Sequence, residues 1–184
     1  MIRVGTDKRK IHSAELLVNG LIQCMEEKDF TEINVSDLQR ASGVSRATFY
    51  RLFDNTQDVL AYKCQVIAAE IPQKYNALSA KKKENFLLFT MRYWLNQHRF
   101  LEAIFISGRA DILQNALLEN SGFLSAQLSF DIIPLETKEY LASASMGILS
   151  SLLITWVRHG RKETPEQLIE IFRGFGEIAP ILFQ

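Results

Sequence analysis

The chain has 184 residues, of which 47% are hydrophobic and 23% charged, a mixture typical of a globular protein and not of a disordered one. Its 21 basic and 21 acidic residues balance, which excludes a protein that coats nucleic acid through bulk charge but not a local basic surface. Cys24 and Cys64 form no CxxC pair, which favours reduced thiols in a cytoplasmic protein, and the first residues contain no apolar leader segment.

Apolar residues recur at spacings of three and four along most of the chain, which predicts an all-α fold. The first helix is expected over residues 7–28. Two very short helices follow: a capping box at 36–39 (Ser-Asp-Leu-Gln) opens one, which Gly43 ends, and Ser45 caps the other, which runs to about Phe53. Two short helices joined by a tight glycine turn make a helix-turn-helix.

Longer helices are predicted for the rest of the chain. Asn55 caps a helix that Pro72 should end or kink, because an interior proline removes a hydrogen bond and clashes with the preceding turn. Further helices are expected at about 82–97, 99–108, 110–128, 137–159 and 165–182. Gly160 stands where a helix end favours a left-handed residue, and Thr164 with Pro165 begins the last helix.

The stretch 140–157 carries no charge and approaches the length that spans a bilayer. Serine and threonine residues interrupt it, so a buried helix at a helix–helix interface is favoured over a membrane span, and no membrane partner is predicted. Small residues on one face of this helix let a second helix approach closely, which predicts a dimer seam of two helices per subunit. The predicted seam residues are Ser143, Gly147, Ser151, Ile154, Trp156 and Ile171.

The window 33–60 contains the motif that points to function. Four apolar residues can converge to fix the second short helix against the first: Leu38, Val44, Phe49 and Phe53. The opposite face of that helix is then free to enter a DNA major groove, where its N-terminal residues approach base edges. Segments 1–12 and 38–53 each sum to a charge of +3, although residues 1–70 hold nine basic and ten acidic residues. The predicted basic surface is therefore local.

This window resembles the TetR family of bacterial transcription regulators. The resemblance rests on 35–38 (Val-Ser-Asp-Leu), 43–45 (Gly-Val-Ser) and above all 45–53 (Ser-Arg-Ala-Thr-Phe-Tyr-Arg-Leu-Phe), and it covers residues 8–62. It implies a cytoplasmic homodimer that binds a roughly palindromic operator in double-stranded DNA. It also implies a regulator that is most often a repressor released by an unknown small-molecule effector.

The resemblance divides the chain into a three-helix helix-turn-helix DNA-binding domain over 1–54 and a larger helical effector-binding and dimerisation domain over 55–184. An effector that favours a DNA-incompetent spacing must weaken DNA binding by the same coupling factor. The helix at 55–71 runs from one domain into the other, and Pro72 is a candidate hinge. A different class of function stays open: an adaptor or co-activator of the same shape that works through a protein partner.

Carried over by position, the resemblance implies that Arg46 contacts a base or a phosphate and that Thr48 and Tyr50 contact the DNA backbone. The full predicted set is Lys10, Ser36, Arg40, Ser45, Arg46, Ala47, Thr48, Tyr50, Arg51 and Thr56. The alternative is that the arginines are only solvated and that the tyrosine only packs. Gln39 replaces the family's usual small residue and Thr56 replaces its frequent lysine, and both departures bear on DNA affinity.

Aromatic residues concentrate in the middle of the chain, where the resemblance implies an effector pocket and where the alternative is a plain core. The predicted pocket residues are Phe86, Phe89, Tyr93, Trp94, Phe105 and Phe123. His12, His98 and His159 lie far apart in sequence, and no HExxH, GxSxG, Walker or GxGxxG motif occurs. Neither an enzyme, nor a bound metal, nor a cofactor is predicted.

Overall fold

A computed structural model describes residues 1–79, 84–127 and 134–182 of the chain, with side chains through residue 174. Those ranges contain ten α-helices, one 3₁₀ turn at Phe30–Glu32 and no strand, so the all-α prediction is confirmed. The helices are α1 (Lys8–Glu27), α2 (Val35–Ser42), α3 (Arg46–Leu52), α4 (Thr56–Asn76), α5 (Phe86–Leu95), α6 (His98–Ile106), α7 (Ala110–Leu118), α8 (Ser121–Gln127), α9 (Leu135–Arg158) and α10 (Pro165–Leu182).

Helices α1, α2 and α3 pack together around one apolar centre. The four residues predicted to converge there, Leu38, Val44, Phe49 and Phe53, are all buried. Gly20 of α1 lies directly against α2, since a Cβ built on it would come within 3.0 Å of the Ser42 Cβ. The absence of a side chain at this point therefore sets how closely the two helices approach.

The start of α2 differs from the prediction. Asn34 is its N-cap: its side-chain oxygen accepts from the N–H groups of Ser36 and Asp37 at 2.9 and 3.1 Å. The Asp37 carboxylate accepts in return from the Asn34 N–H at 3.0 Å. The predicted capping box at 36–39 is therefore wrong by two residues, because asparagine caps as well as serine and a carboxylate in the first turn favours the helix dipole more than the Gln39 amide.

The other predicted cap residues are confirmed. Gly43 has φ 69° at the end of α2, and Ser45 and Asn55 accept from backbone N–H groups as the N-caps of α3 and α4. Gly160, with φ 75°, follows α9. Thr164 and Gln167 exchange hydrogen bonds of 2.8 and 3.3 Å at the start of α10. The helix predicted at 82–97 begins only at Phe86, with Asn85 as its N-cap, and position 82 lies outside the described residues.

Pro72 was predicted to end or kink the fourth helix; it does not end it, because α4 continues through the proline to Asn76. Tyr75, beyond the proline, is only 6% exposed, and its ring lies 5.1 Å from that of Phe86. Its hydroxyl donates to the Glu84 carbonyl at 2.8 Å. These contacts hold the last turn in place and compensate for the backbone hydrogen bond that the proline cannot make.

The predicted helix at 110–128 is two helices. The N–H of Asn120 donates to the carbonyl of Leu117, three residues earlier, and its own carbonyl accepts from Leu124 in α8. Asn120 is 2% exposed, so the break between α7 and α8 is a packed corner.

Helix α9 is the centre of the larger part of the fold and packs against α5, α6, α7 and α8. Within the described ranges it is the helix long and apolar enough to cross a membrane by length and composition, and 44% of its apolar window is buried inside the protein. Its apolar composition follows from this central position. Helix α4 contacts α1 and also α5, α6 and α7, so it joins the first three helices to the remainder.

Candidate nucleic-acid interface

Helix α3 turns one face into the protein and the other to solvent. Phe49 and Leu52 are fully buried. Arg46, Ala47 and Arg51 are exposed, and Tyr50 is 43% exposed although it directly follows the buried Phe49. The predicted outward face therefore exists, and two arginines and one tyrosine dominate its chemistry.

The first turn of α3 presents two hydroxyl groups. Ser45 Oγ accepts from the N–H of Thr48 at 3.2 Å and donates to Thr48 Oγ1 at 3.1 Å. Hydroxyls at a helix N-terminus, where free N–H groups and the positive end of the helix dipole also point outward, suit phosphate oxygens. The first turn of α3 thus places two hydroxyl groups suited to a phosphate next to the exposed Arg46 side chain.

Arg46 and Tyr50, one turn apart on α3, are in contact. The Arg46 guanidinium carbon lies 5.5 Å from the centre of the Tyr50 ring, and Nη2 lies 3.4 Å from the hydroxyl oxygen. The Tyr50 ring meets the buried ring of Phe49 edge-on at 5.2 Å. The buried Phe49 ring therefore helps to fix the position of the exposed Arg46–Tyr50 pair.

Helix α2 is tied to the end of α1 by charge. Lys28 Nζ lies 2.6 Å from Asp37 Oδ2, and Arg40 Nη2 lies 3.6 Å from Oδ1. The hydrogen bond from Lys28, followed by that from the Asn34 backbone, lowers the pKa of the Asp37 carboxyl. The Arg40 side chain remains 80% exposed, which leaves its guanidinium accessible to a phosphate.

The basic N-terminal segment contacts the end of α3. Arg3 donates from its backbone N–H to the Leu52 carbonyl at 2.9 Å and from its guanidinium to Asp54. Asp54 also accepts from the amino group of Met1 at 2.7 Å. Sequence reasoning counted Arg3 only as a source of positive charge, because nothing local in the sequence indicates a partner 51 positions away.

Other predicted contact residues take varied positions. Lys10 Nζ donates to the Arg3 carbonyl at 3.3 Å and is half-buried. Ser36 is exposed in the first turn of α2. The two departures from the family pattern, Gln39 and Thr56, are both half-buried, with Thr56 as the first residue of α4.

The beginning of α4 is also held from the larger part of the fold. Arg109, after α6, donates from Nη1 to the Gln57 side chain at 3.1 Å. The same guanidinium donates to both carboxylate oxygens of Asp111 at 2.7 Å. This bridge between α4 and α7 was not predicted, since no local sequence pattern connects residues 52 positions apart.

Three predicted effector residues meet near Tyr75. The rings of Phe86 and Phe123 lie 4.7 Å apart, and Tyr75 lies 5.3 Å from Phe89. Tyr93 lies 6.3 Å from Phe89 at the edge of this group. Sequence reasoning missed Tyr75 because it lies beyond Pro72, where the helix was expected to end or kink.

The remaining two predicted pocket residues lie elsewhere in the packing. Phe105 is 37% exposed on the surface, whereas Trp94 is fully buried. The Trp94 Nε1 and Asn120 Nδ2 donors are buried and have no hydrogen-bond partner among the described residues. Such groups carry a cost that a bound polar atom could remove.

The predicted seam residues divide into exposed and buried sets. Gly147 and Ser151 line a shallow surface groove of α9, Ser143 is half-buried and Ile171 of α10 is 52% exposed. Ile154 and Trp156 are 8% and 7% exposed, and the Trp156 indole donates to the Glu163 carbonyl at 2.9 Å. Those two side chains stabilise the subunit itself and offer little surface to a second chain.

In this structure a helix-turn-helix exposes a helix with basic and hydroxyl side chains and is joined to a larger set of helices. These features define a transcriptional regulator of the helix-turn-helix class. A family model described as a TetR-type transcriptional regulator C-terminal region matches residues 81–176, more than half of the chain. The chain belongs to the TetR family of transcriptional regulators. The matched residues lie outside the window 8–62 that carries the sequence resemblance, so the motif at 45–53 is not part of this match.

Individual relatives agree with this assignment. The helix-turn-helix transcriptional regulator YxbF of Bacillus subtilis (strain 168), itself uncharacterized, is 27% identical over 132 residues, which cover 58% of this chain. The chain spans about a third (35%) of the length of that relative. Among solved structures, Lin0861 from Listeria innocua has TM-score 0.68 at 19% identity and 96% coverage of both chains. The TetR-family repressor AlkX from Dietzia sp. strain DQ12-45-1b, implicated in n-alkane biodegradation, has TM-score 0.53 at 21% identity, covering 91% of this chain and 96% of that one.

Proposed function

We propose that this TetR-family regulator binds DNA sequence-specifically through α3. The proposal rests on the exposed Arg46–Tyr50 pair of α3. The opposite face of this helix is buried in the core. A helix held in this way can enter a major groove as a rigid element, with Arg46 directed to a base edge or phosphate. The Ser45 and Thr48 hydroxyls and the exposed guanidinium of Arg40 would bind the flanking phosphates.

We further propose that the protein acts as a homodimer in the cytoplasm. The exposed groove of α9 and the exposed Ile171 of α10 supply an apolar surface with small residues, which suits close helix packing. A two-fold dimer would present two copies of α3 to half-sites about 34–36 Å apart, so its operator would be roughly palindromic.

The larger part of the fold, α4 to α10, is proposed to bind a small-molecule effector that releases the protein from DNA. Support comes from the aromatic group around Tyr75 and from the unpartnered buried donors of Trp94 and Asn120. AlkX, of similar fold, is a repressor, and we propose the same sign of regulation here and no enzymatic activity. The hydrogen bond from Arg109 to Gln57 connects the beginning of α4 to the start of α7.

Selection of binding sites from random duplexes by the purified protein, at two salt concentrations, tests this function. Enrichment of a palindrome by the wild type, and none by a variant carrying Arg46→Ala and Tyr50→Phe, is the expected result. Binding without enrichment that disappears with salt would reflect phosphate attraction alone and would contradict sequence-specific recognition. That result would favour the adaptor function, and helices α4 to α10 would then be used to capture a protein partner.

A further inference from the structure

The N-terminal arm, residues 2–5, lies against the helix-turn-helix without belonging to it. Val4 is 2% exposed, so the arm is anchored in the core. Next to it, the backbone N–H of Arg3 donates to the carbonyl of Leu52 at 2.9 Å. The last carbonyls of a helix have no partner within the helix, and this bond supplies one for α3.

The Arg3 side chain adds two further contacts to the same place. Nη1 donates to the Tyr50 carbonyl at 3.4 Å, and Nη2 donates to Asp54 Oδ1 at 2.5 Å. All three acceptors therefore lie between the last turn of α3 and the turn that leads to α4. A guanidinium can donate in two directions at once, which the single ammonium of a lysine does less well.

We propose that Arg3 is a positioning residue for DNA recognition, which holds the end of α3 through Asp54 and does not itself neutralise a phosphate. The inference rests on the proposed function. The Arg3 guanidinium is paired with the Asp54 carboxylate, and its other contact among the described residues is the Tyr50 carbonyl of α3. The arm thereby acts on the same helix that carries Arg46 and Tyr50.

The direction in which Asp54→Asn changes DNA affinity distinguishes this role from a direct phosphate contact. If Arg3 binds a phosphate, Asp54→Asn removes a competing acid and leaves DNA affinity equal or higher. If Arg3 positions α3 through Asp54, the same substitution lowers affinity although it makes the protein less negative. Glu32→Gln is the matched control, because it removes one exposed acid from the 3₁₀ turn after α1.

The experiment measures the dissociation constant of the selected palindromic duplex across a salt series for the wild type and for Arg3→Ala, Asp54→Asn, their double variant and Glu32→Gln. We expect about three- to tenfold weaker binding for each single variant at positions 3 and 54, and no further loss in the double variant. The slope of log affinity against log salt should remain that of the wild type. Glu32→Gln should bind as the wild type does or slightly more tightly, and melting curves should show all variants folded.

Three results would overturn the inference. These are unchanged or tighter binding by Asp54→Asn, losses that add in the double variant, and a salt slope reduced by about 0.9 in Arg3→Ala, as expected for one lost phosphate contact. A wild-type protein that binds no selected duplex would instead overturn the proposed function, and this inference with it. The two failures are thus distinguished by the wild-type measurement alone.

Discussion

The Arg46 guanidinium lies over the ring of Tyr50, 5.5 Å from its centre, on the exposed face of α3. Residues four apart on a helix are neighbours on its surface, so the contact forms without any rearrangement of the backbone. In the proposed DNA complex, this contact would order the two side chains in advance and so lower the conformational entropy lost on binding. The pair is accordingly the most direct target for mutation.

Combining Arg46→Ala with Tyr50→Phe should abolish specific binding to the selected operator while the melting temperature stays within a few degrees. A good arginine–base contact contributes about 1–3 kcal/mol of discrimination, and both side chains are exposed, so the fold loses little. Fluorescence anisotropy and calorimetry check the two halves of this statement. Arg158→Ala, which removes an exposed arginine at the end of α9, should leave DNA binding unchanged. Undiminished binding by the double variant would contradict the assignment of α3.

Gly20→Ala should destabilise the protein. A Cβ at this position meets the backbone of Ser42 at 3.1 and 3.3 Å, and backbone atoms cannot swing away as a flexible side chain can. The overpacking cost of about 1–3 kcal/mol exceeds the gain of about 1 kcal/mol that alanine brings to a helix. Denaturant unfolding measures the result. Gly122→Ala in α8, where no atom lies within 4 Å, should instead be neutral or stabilising, and equal losses from both would refute the close approach of α1 and α2.

Asp37→Asn should lower the melting temperature at pH 7, and the difference from the wild type should shrink as the pH falls. Hydrogen bonds from Lys28 and from the Asn34 backbone lower the pKa of this carboxyl in the folded chain. Its contribution is therefore complete above the unfolded value of about 4 and is lost as the pH falls through the folded pKa. Melting curves from pH 7 down to pH 3 check the prediction. A difference that stays constant over this range would mean that packing, and not charge, explains the loss.

Ser151→Arg should convert the proposed dimer into a monomer without unfolding it. Ser151 is exposed in the groove of α9, so the longer side chain fits the isolated subunit but introduces a charge into a close helix–helix contact. Light scattering after gel filtration gives the mass directly. Gln114→Arg places the same side chain on the exposed surface of α7 and should leave the mass unchanged. A wild-type monomer would refute the seam itself.

The sequence was sufficient where the deciding contacts are local. Gly43 and Ser45 act on backbone groups within a few residues, so the turn and the start of α3 were predicted correctly. The start of α2 was predicted incorrectly because both Asn34 and Ser36 can act as an N-cap. Which of them does so depends on which side chain in the first turn accepts a hydrogen bond from the N-cap backbone N–H. Local chemistry therefore narrows a boundary without always deciding it.

Contacts between distant parts of the chain were beyond sequence reasoning. The proline rule is correct for an isolated helix, but the packing of Tyr75 against Phe86 and Phe123 overrides it in α4. Likewise the partners of Arg3 and Arg109 are 51 and 52 positions away, and no spacing rule connects residues at that separation. The outward face of α3 could be predicted, whereas what holds that face in place could not.

The continuity of α4 through Pro72 has a consequence in lengths. Its 21 residues span about 31 Å between Thr56, next to the helix-turn-helix, and the aromatic group at Tyr75. A tilt of about 5° about the far end of a helix of this length displaces the near end by nearly 3 Å, close to the rise of one base pair of duplex DNA at ~3.4 Å. In a dimer the two displacements add, so a small adjustment around the aromatic rings would alter the separation of the two copies of α3 by more than one base-pair step.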